Sequence, residues 1–138
     1  MKSESGLLQM DTFAQENGTL SVAEANRHIP FTIERSFFIY NLKPGDVRGN
    51  HAADYEECIF LASGRCTVML HNGENETVYH LDTPGTGVHI PSMYWREIRD
   101  CSTDCIIIAY ADRYYDSKAY IYDFPSFLQY WQKQKKHD

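Results

Sequence analysis

The chain has 138 residues, of which 43% are hydrophobic and 14% aromatic, and its formal net charge is −6. A chain of this size and composition can bury a hydrophobic core unaided, which excludes a disordered chain and a disulfide-dependent miniprotein and favours one domain over residues 1–138. The acidic balance argues against nucleic acid as a partner, and the basic tail Lys133–Lys136 is interpreted as the solvated end of a helix.

Short segments of strand-like composition, separated by turn residues, make up most of the chain. Residues 18–25 alternate apolar and polar side chains, and residues 31–42 are rich in aromatic and β-branched side chains. Residues 104–112 form a continuous apolar run, fit for a strand buried on both faces. Turns are indicated at Lys43–Asp46, Ser63-Gly64 and Asn72-Gly73. The predicted strands cover residues 18–25, 31–42, 56–64, 65–73, 76–82, 88–100 and 104–112.

The segment 124–136 has a different character. Pro125 and Ser126 are start signals for a helix, Phe127 and Trp131 recur at helical spacing, and lysines close the segment. Many short strands followed by one helix predict an all-β sandwich or barrel with a short C-terminal helix packed on it.

No apolar run has the length of a signal peptide or a membrane span, so we expect a cytoplasmic protein without a membrane partner. The cysteines form no CxxC pair, and three of them lie in or beside strand-like runs. In a reducing compartment they are thiols that pack as small hydrophobic residues, and a cysteine nucleophile is the alternative left open. These residues are Cys58, Cys66, Cys101 and Cys105.

A spaced motif that begins at Gly45 carries the first candidate for chemistry. His51 follows after five intervening residues, Glu57 follows Ala53 after three intervening residues, and Gly64 follows Glu57 after six more. This is the spacing of the first motif of the cupin superfamily, which has a second histidine where this chain has Ala53. The resemblance implies a cupin jelly-roll barrel, in agreement with the predicted strands.

A second cupin motif begins at Gly85 and keeps Pro91 in register. Met93 stands at its glycine position, Arg96 at its histidine position and Asp100 at its asparagine position. The histidine position is the important one, because a metal-binding cupin resembling this chain would hold its metal through three histidines and one glutamate.

The equivalents of those four ligands are His51, Ala53, Glu57 and Arg96. Alanine has no donor atom, and a guanidinium stays protonated and repels a cation. Two ligands are fewer than the three protein ligands usual even in open zinc sites, so we predict no bound metal. A separate metal site is disfavoured, because no ligand spacing relates the histidines of the other strands, which are His71, His80 and His89.

The pocket expected inside the barrel therefore contains a histidine, a carboxylate and arginine, which suits an anion and acid–base chemistry. A satisfied core histidine is the alternative for His51. Its place directly after Arg48-Gly49 in the registered motif favours a functional role.

Over nearly its whole length the chain resembles the dTDP-sugar 3,4-ketoisomerases of deoxysugar biosynthesis, a cupin family whose products feed surface glycans. The similarity rests on several short motifs that occur in order and are more specific than the cupin spacing. They are Ile29-Pro30-Phe31, Arg48-Gly49-x-His51-Ala52, Ile90-Pro91-x-Met93-x-Trp95, Asp100-Cys101 and Tyr114-Tyr115-Asp116 with Tyr120-Ile121.

This resemblance implies that the chain moves the carbonyl of a dTDP-4-keto-6-deoxyhexose from C4 to C3, giving a 3-keto sugar for an aminotransferase. It implies no metal or organic cofactor. It also implies a homodimer in which N-terminal strands are exchanged between subunits.

The family's catalytic base, the first histidine of its His-Ala-His, corresponds to His51. Arg35 and Arg48 match family arginines and are candidates for stabilising the developing oxyanion and for binding the diphosphate, with the division between them left open. A surface salt bridge is the alternative for each arginine. Tyr40, on the same predicted strand as Arg35, is a candidate proton relay or a core residue.

Three positions depart from the family pattern. Ala53 replaces the second histidine, Arg96 replaces the histidine that follows the family's tryptophan, and Asn17-Gly18 stands where Arg-Gly is common. His51 alone could move one proton between adjacent carbons, with help from Glu57 if burial raises its pKa. Glu57 and Arg96 are accordingly candidate substrate-binding residues.

These departures leave three hypotheses. The first is a sugar-nucleotide 3,4-ketoisomerase that uses His51 as its base. The second is a binding module that keeps the nucleotide-sugar pocket without turnover. The third is an isomerase or epimerase for a different nucleotide sugar, in which Arg96 recognises an altered substrate group.

Overall fold

The computed structural model of the protein describes residues 4–137, so the first three residues and the last residue of the predicted domain lie outside it. Its helices are α1 (Phe124–His137) and a short 3₁₀ turn at Ser117–Ala119. The strands are β1 (Gly6–Gln9), β2 (Asp11–Gln15), β3 (Gly18–Val22), β4 (Arg35–Ile39), β5 (Arg48–Ala53), β6 (Glu57–Ser63), β7 (Cys66–His71), β8 (Glu76–Leu81), β9 (Thr86–Ile90), β10 (Trp95–Arg99), β11 (Ile106–Ala111) and β12 (Tyr120–Ile121).

Two five-stranded antiparallel sheets pack face to face. The first has the order β1-β9-β6-β11-β4 and the second the order β12-β5-β10-β7-β8, while β2 and β3 form a separate hairpin. Alternate residues of both sheets point inward and form the main core, which includes Ile59, Val68, Val88, Ile98 and Ile107. This arrangement confirms the prediction of an all-β jelly-roll fold of the cupin type with a C-terminal helix.

Helix α1 covers the outer face of the second sheet. Phe127 is fully buried there, and the indole N–H of Trp131 donates to the carbonyl of Met93 at 3.0 Å. The helix begins at Phe124, as predicted, and the Asp123 carboxylate accepts a hydrogen bond from the Ser126 amide at 2.8 Å and caps the first turn. No helix within residues 4–137 is long and apolar enough to cross a membrane.

The strand pattern differs from the prediction in three places. The run 88–100 divides into β9 and β10 at Pro91, which lacks the N–H that a continuous ladder needs. Four strands, β1, β2, β5 and β12, were not predicted. The predicted strands began only at residue 18, the polar and small residues of β5 lack strand-like composition, and β12 has only two residues. The expectation that 104–112 is buried on both faces is wrong: Ile106 of β11 is 37% exposed, since the outer face of the first sheet is only partly covered.

All four cysteines are buried and free, as expected of thiols that pack as small hydrophobic residues. Burial raises the pKa of each thiol, to about 12 for Cys101. Neutral thiols are poor nucleophiles, so the alternative of a cysteine nucleophile receives no support.

A β-bulge in β5 positions the residues of the site. The pairing of β5 with β10 slips by one residue, so that Arg96 lies opposite His51 while Glu97 lies opposite Gly49. The extra residue, Asn50, has a φ of 52°, and Gly49 has a φ of 89°. Such bulges re-aim a side chain locally, and this one directs His51 between the sheets.

Replacing Gly49 by alanine should lower the free energy of unfolding by about 2–3 kcal/mol, because strain and a clash act together. An added Cβ would lie 2.8 Å from the Arg96 carbonyl oxygen on a backbone that L side chains rarely adopt. Gly45→Ala is the matched control, since its φ of +88° is equally left-handed but its Cβ meets nothing within 4 Å, so a loss of about 1 kcal/mol is expected. Urea unfolding measures both losses, and equal values would contradict the proposed close approach of the two strands.

Candidate active site

A cavity of about 150 Å³ lies between the two sheets and brings together most of the predicted site residues. Its lining combines apolar and charged side chains. The residues that form it are Phe37, Ile39, Arg48, Gly49, His51, Tyr55, Glu57, Arg96, Ile98 and Tyr120.

An ion pair between Glu57 and Arg96 connects the two sheets at the cavity. β6 of the first sheet supplies Glu57 and β10 of the second supplies Arg96, and their side chains are only 6% and 3% exposed. Nη1 of Arg96 donates to the carboxylate, and Nη2 donates to the Tyr94 carbonyl at 3.2 Å. Burial raises the pKa of Glu57, while the guanidinium groups of Arg96 and Arg35 limit that rise. Two of the four predicted substrate-binding residues, Glu57 and Arg96, thus lie in the cavity but bind each other.

His51 faces the cavity from β5, directly across the strand pair from Arg96. Its Nδ1 lies 2.8 Å from the Gly49 carbonyl oxygen, so in the neutral ring this nitrogen carries the proton and donates. Nε2 then carries the lone pair, and it is buried without a hydrogen-bond partner among the residues that the structure describes. A buried acceptor with this fixed tautomer is suited to take a proton from a bound molecule.

The surroundings of His51 favour its neutral form. Burial lowers the pKa of the imidazole to about 4, and the positive charges of Arg96 and Arg48 act in the same direction. The hydrogen bond to Gly49 opposes these effects but is outweighed. At neutral pH the ring is therefore a free base.

Arg35 lies beside this cavity with part of its hydrogen-bonding capacity unused. Its guanidinium carbon is 4.8 Å from the centroid of the Tyr55 ring and 5.4 Å from that of Phe37. Nε and Nη2 are buried and have no hydrogen-bond partner within residues 4–137. Burial lowers the pKa of Arg35, but the neighbouring Tyr120 and Tyr55 hydroxyls outweigh burial and raise it, so the group is a permanent cation with free donors.

Arg48 lies at the mouth of the cavity, and Tyr40 lies outside it. Arg48 also lines an adjoining open groove of about 450 Å³, to which Tyr40 contributes. Tyr40 is 56% exposed and stacks on Phe38, because side chains alternate along β4 and these two point away from the core. The structure therefore does not bring Tyr40 together with His51, and the suggested proton relay at Tyr40 has no support in this chain.

Two tyrosines that the sequence did not single out complete the cavity. Tyr120 of β12 pairs directly with Ala53, and its ring centroid lies 5.1 Å from that of His51. The hydroxyls of Tyr55 and Tyr120 lie 3.2 Å apart. Tyr55 follows β5 and Tyr120 lies 65 residues later in the chain, so only the tertiary pairing of β12 with β5 reveals them as neighbours.

The residues of the cavity do not suit a metal ion. The Glu57 carboxylate is already bonded to Arg96, and two guanidinium groups flank His51. In the described part of the chain no group of three or more histidine, cysteine, aspartate or glutamate residues is arranged to hold one. Because these side chains are poor metal ligands, we still predict that the chain works without a bound metal.

This fold, with its site enclosed between the sheets, places the chain among the cupin-type enzymes. The chain belongs to the family described as FdtA, WxcM-like, C-terminal, which matches residues 3–132. A TDP-4-oxo-6-deoxy-alpha-D-glucose-3,4-oxoisomerase from Aneurinibacillus thermoaerophilus is 31% identical over 128 residues, which are 92% of each protein.

Solved structures agree with this assignment. A 3,4-ketoisomerase from Helicobacter canadensis is 31% identical and superposes with a TM-score of 0.88, over 92% of this chain and 96% of that one. The 3,4-ketoisomerase QdtA from Thermoanaerobacterium thermosaccharolyticum, solved as a histidine-to-asparagine variant in complex with TDP-4-keto-6-deoxyglucose, is 25% identical with a TM-score of 0.89, over 96% and 97% of the two chains. The predictions of the family and of an isomerase are confirmed.

The depressed pKa of His51 predicts a specific pH dependence of stability. Because the folded pKa of about 4 lies below the ordinary value of 6.5, the stabilisation is complete above pH 6.5 and is lost as the pH falls toward 4. At pH 5 the wild type should have lost on the order of 1–2 kcal/mol that a His51→Gln variant does not lose. Urea unfolding at pH 7 and pH 5 measures this, with His80→Gln at an exposed histidine as control. A loss shared by His51→Gln would contradict the assignment.

Proposed function

We propose that this chain converts a dTDP-4-keto-6-deoxyhexose into the corresponding 3-keto sugar, with His51 as the base. The observation that carries the proposal is Nε2 of His51, which has no partner within residues 4–137 and is fixed as an acceptor by the Nδ1 contact with Gly49. The family and the 3,4-ketoisomerases that resemble the chain support the substrate class.

The chemistry requires one base beside a carbonyl. In a 4-keto sugar the C3–H bond is acidified by the C4 carbonyl, so Nε2 of His51 can remove that proton and leave an enediolate. Delivery of a proton from His51 to C4 on the same face gives the 3-keto product. No second imidazole is needed for this transfer, which is consistent with alanine at position 53.

Different arginines interact with the two negatively charged parts of the bound substrate, which are the enediolate oxygen and the diphosphate. The enediolate oxygen requires nearby donors, and within residues 4–137 the N–H groups without a partner in or beside the cavity are Nε and Nη2 of Arg35 and Nε of Arg96. The diphosphate requires a cation at the entrance, where Arg48 lies between the cavity and the outer groove. We therefore assign oxyanion stabilisation to Arg35 and diphosphate binding to Arg48.

Substrate binding also strengthens the base. Arg48 is one of the charges that lower the pKa of His51. A diphosphate bound at Arg48 offsets that charge, so the pKa of His51 rises toward the range of an effective general base when the substrate is in place.

The reaction is tested by proton NMR of dTDP-4-keto-6-deoxyglucose with the protein in heavy water. Loss of the C3 proton signal with growth of a 3-keto sugar is expected, and His51→Asn should lower the rate by at least about a hundredfold, since a general base contributes 10²–10⁴-fold. His80→Asn, at an exposed histidine bonded to Thr67, is the matched control.

Three results would contradict the proposal. An unchanged spectrum with line broadening of the sugar would indicate the binding module. Turnover confined to another nucleotide sugar would indicate the related isomerase or epimerase. Full activity of His51→Asn would remove His51 as the base.

We also infer a cytoplasmic homodimer in which N-terminal strands are exchanged. Four free buried thiols and an activated-sugar substrate support the reducing compartment. The β2–β3 hairpin is almost wholly exposed, with its cross-strand partners Phe13 and Leu20 at 55% and 59% exposure, and Phe38 of β4 is 62% exposed. Clustered exposed apolar side chains are typical of a protein–protein interface, and we infer that a second copy of the chain covers them.

The dimer and the exchange are separable by experiment. The mass in solution should correspond to two chains, and Phe13→Ser with Leu20→Ser should shift it toward one. Gln9 of β1 and Thr86 of β9 are directly paired, so a refolded mixture of Gln9→Cys and Thr86→Cys chains should give a covalent dimer only if β1 pairs with the β9 of the other subunit. A monomeric wild type, or no cross-link in the mixture, would contradict the respective inference.

A further inference from the structure

The space beside Ala53, at the position where the cupin motif has its second histidine, is filled by two tyrosine rings. Ala53 is fully buried in a cluster with Tyr55 and Ala111, and Tyr120 packs against this cluster. Directly paired residues of antiparallel strands point to the same face, so Tyr120 projects into the cavity beside Ala53 and next to His51.

Apart from His51, the groups lining the cavity that can donate and accept a proton while neutral are the hydroxyls of Tyr55 and Tyr120. The inward residues of β4 near them are Phe37 and Ile39, which carry no hydroxyl. The arginines only donate, and the Glu57 carboxylate is bonded to Arg96. A proton relay separate from His51 therefore has to use the tyrosine pair.

The proposed isomerisation needs such a relay because it moves two hydrogens. The C3–H bond breaks, its proton goes to Nε2 of His51, and its electron pair forms the C3=C4 bond as the C4 carbonyl electrons move to O4. In the second half, O3–H loses its proton, the C3=O3 bond forms, and C4 takes the proton from His51. One hydrogen moves from C3 to C4 and another from O3 to O4, with no oxidant or reductant.

We propose that the Tyr120 hydroxyl carries the oxygen-to-oxygen proton, donating to O4 as it accepts from O3, and that Tyr55 is a positioning residue that orients it. This rests on the ketoisomerase function proposed above. His51 is occupied with the carbon-bound proton, so the second transfer falls to a different group.

The geometry assigns different tasks to the two tyrosines. Tyr55 is 5% exposed, and the guanidinium carbons of Arg35 and Arg96 lie 4.8 Å and 5.8 Å from its ring centroid. Burial and the Glu57 carboxylate raise the pKa of Tyr55, so it keeps its proton and can donate it across the 3.2 Å contact to Tyr120 Oη. The proton of Tyr120 is then free to point toward the substrate.

The test separates proton removal at carbon from product formation. In heavy water, Tyr120→Phe should lower formation of the 3-keto sugar by at least about a hundredfold, the usual contribution of a proton-transfer group. Deuterium should still enter C3 of the recovered 4-keto substrate at a rate close to that of the wild type. Tyr55→Phe should lower product formation by about tenfold, as expected for one lost hydrogen bond. Tyr114→Phe, at an exposed tyrosine away from the cavity lining, is the control and should behave as wild type.

Each other outcome overturns the relay. Unchanged product formation by Tyr120→Phe would show that only its ring is needed, and equal losses of exchange and product formation would show a role in binding or folding. If the wild type forms no 3-keto sugar, the proposed function itself fails, and the relay is contradicted with it because there is no oxygen-to-oxygen transfer to perform.

Discussion

The buried ion pair between Glu57 and Arg96 is the contact on which the site depends. Two charges removed from water are tolerated only when they are paired and hydrogen-bonded, and removing one partner of such a pair typically costs about 3–5 kcal/mol. Here the pair joins opposite sheets, with the Tyr94 carbonyl accepting a further bond from Arg96. Arg96 is thereby held opposite His51, and its charge is available to the cavity without the mobility of a surface arginine.

A base is preformed as a result. Arg96 and burial disfavour the imidazolium, the Gly49 carbonyl selects the tautomer, and the bulge at Gly49-Asn50 aims the ring inward. This cupin fold lacks the usual set of metal ligands. Its reactive base, His51, is instead oriented by a β-bulge and kept neutral by burial and the neighbouring Arg96. Backbone irregularities at functional sites are a recurring device for this kind of positioning.

Much of the fold and part of the site could be predicted from the sequence. Periodicity and turn residues predicted most strands and the helix, and motif spacing placed His51, Glu57 and Arg96 in one cavity, where the structure has them. The bulge, the mutual pairing of Glu57 with Arg96, and the approach of Tyr120 to Ala53 depend on register between distant strands, which local pattern does not contain. The prediction that Tyr40 belongs to the site was wrong for a related reason. Side chains alternate between the two faces along β4, and Tyr40, which directly follows this strand, points to the outer face with Phe38.

The most direct test of this account is the protonation state of His51 at neutral pH, read from ¹⁵N–¹H correlation spectra of the imidazole in the substrate-free protein and assigned with the His51→Gln variant. The account predicts a neutral ring with its proton on Nδ1, held by the Gly49 carbonyl, and an unprotonated Nε2. An imidazolium, or a neutral ring with the proton on Nε2, would mean that the lone pair is not available to the cavity and that His51 is not the base.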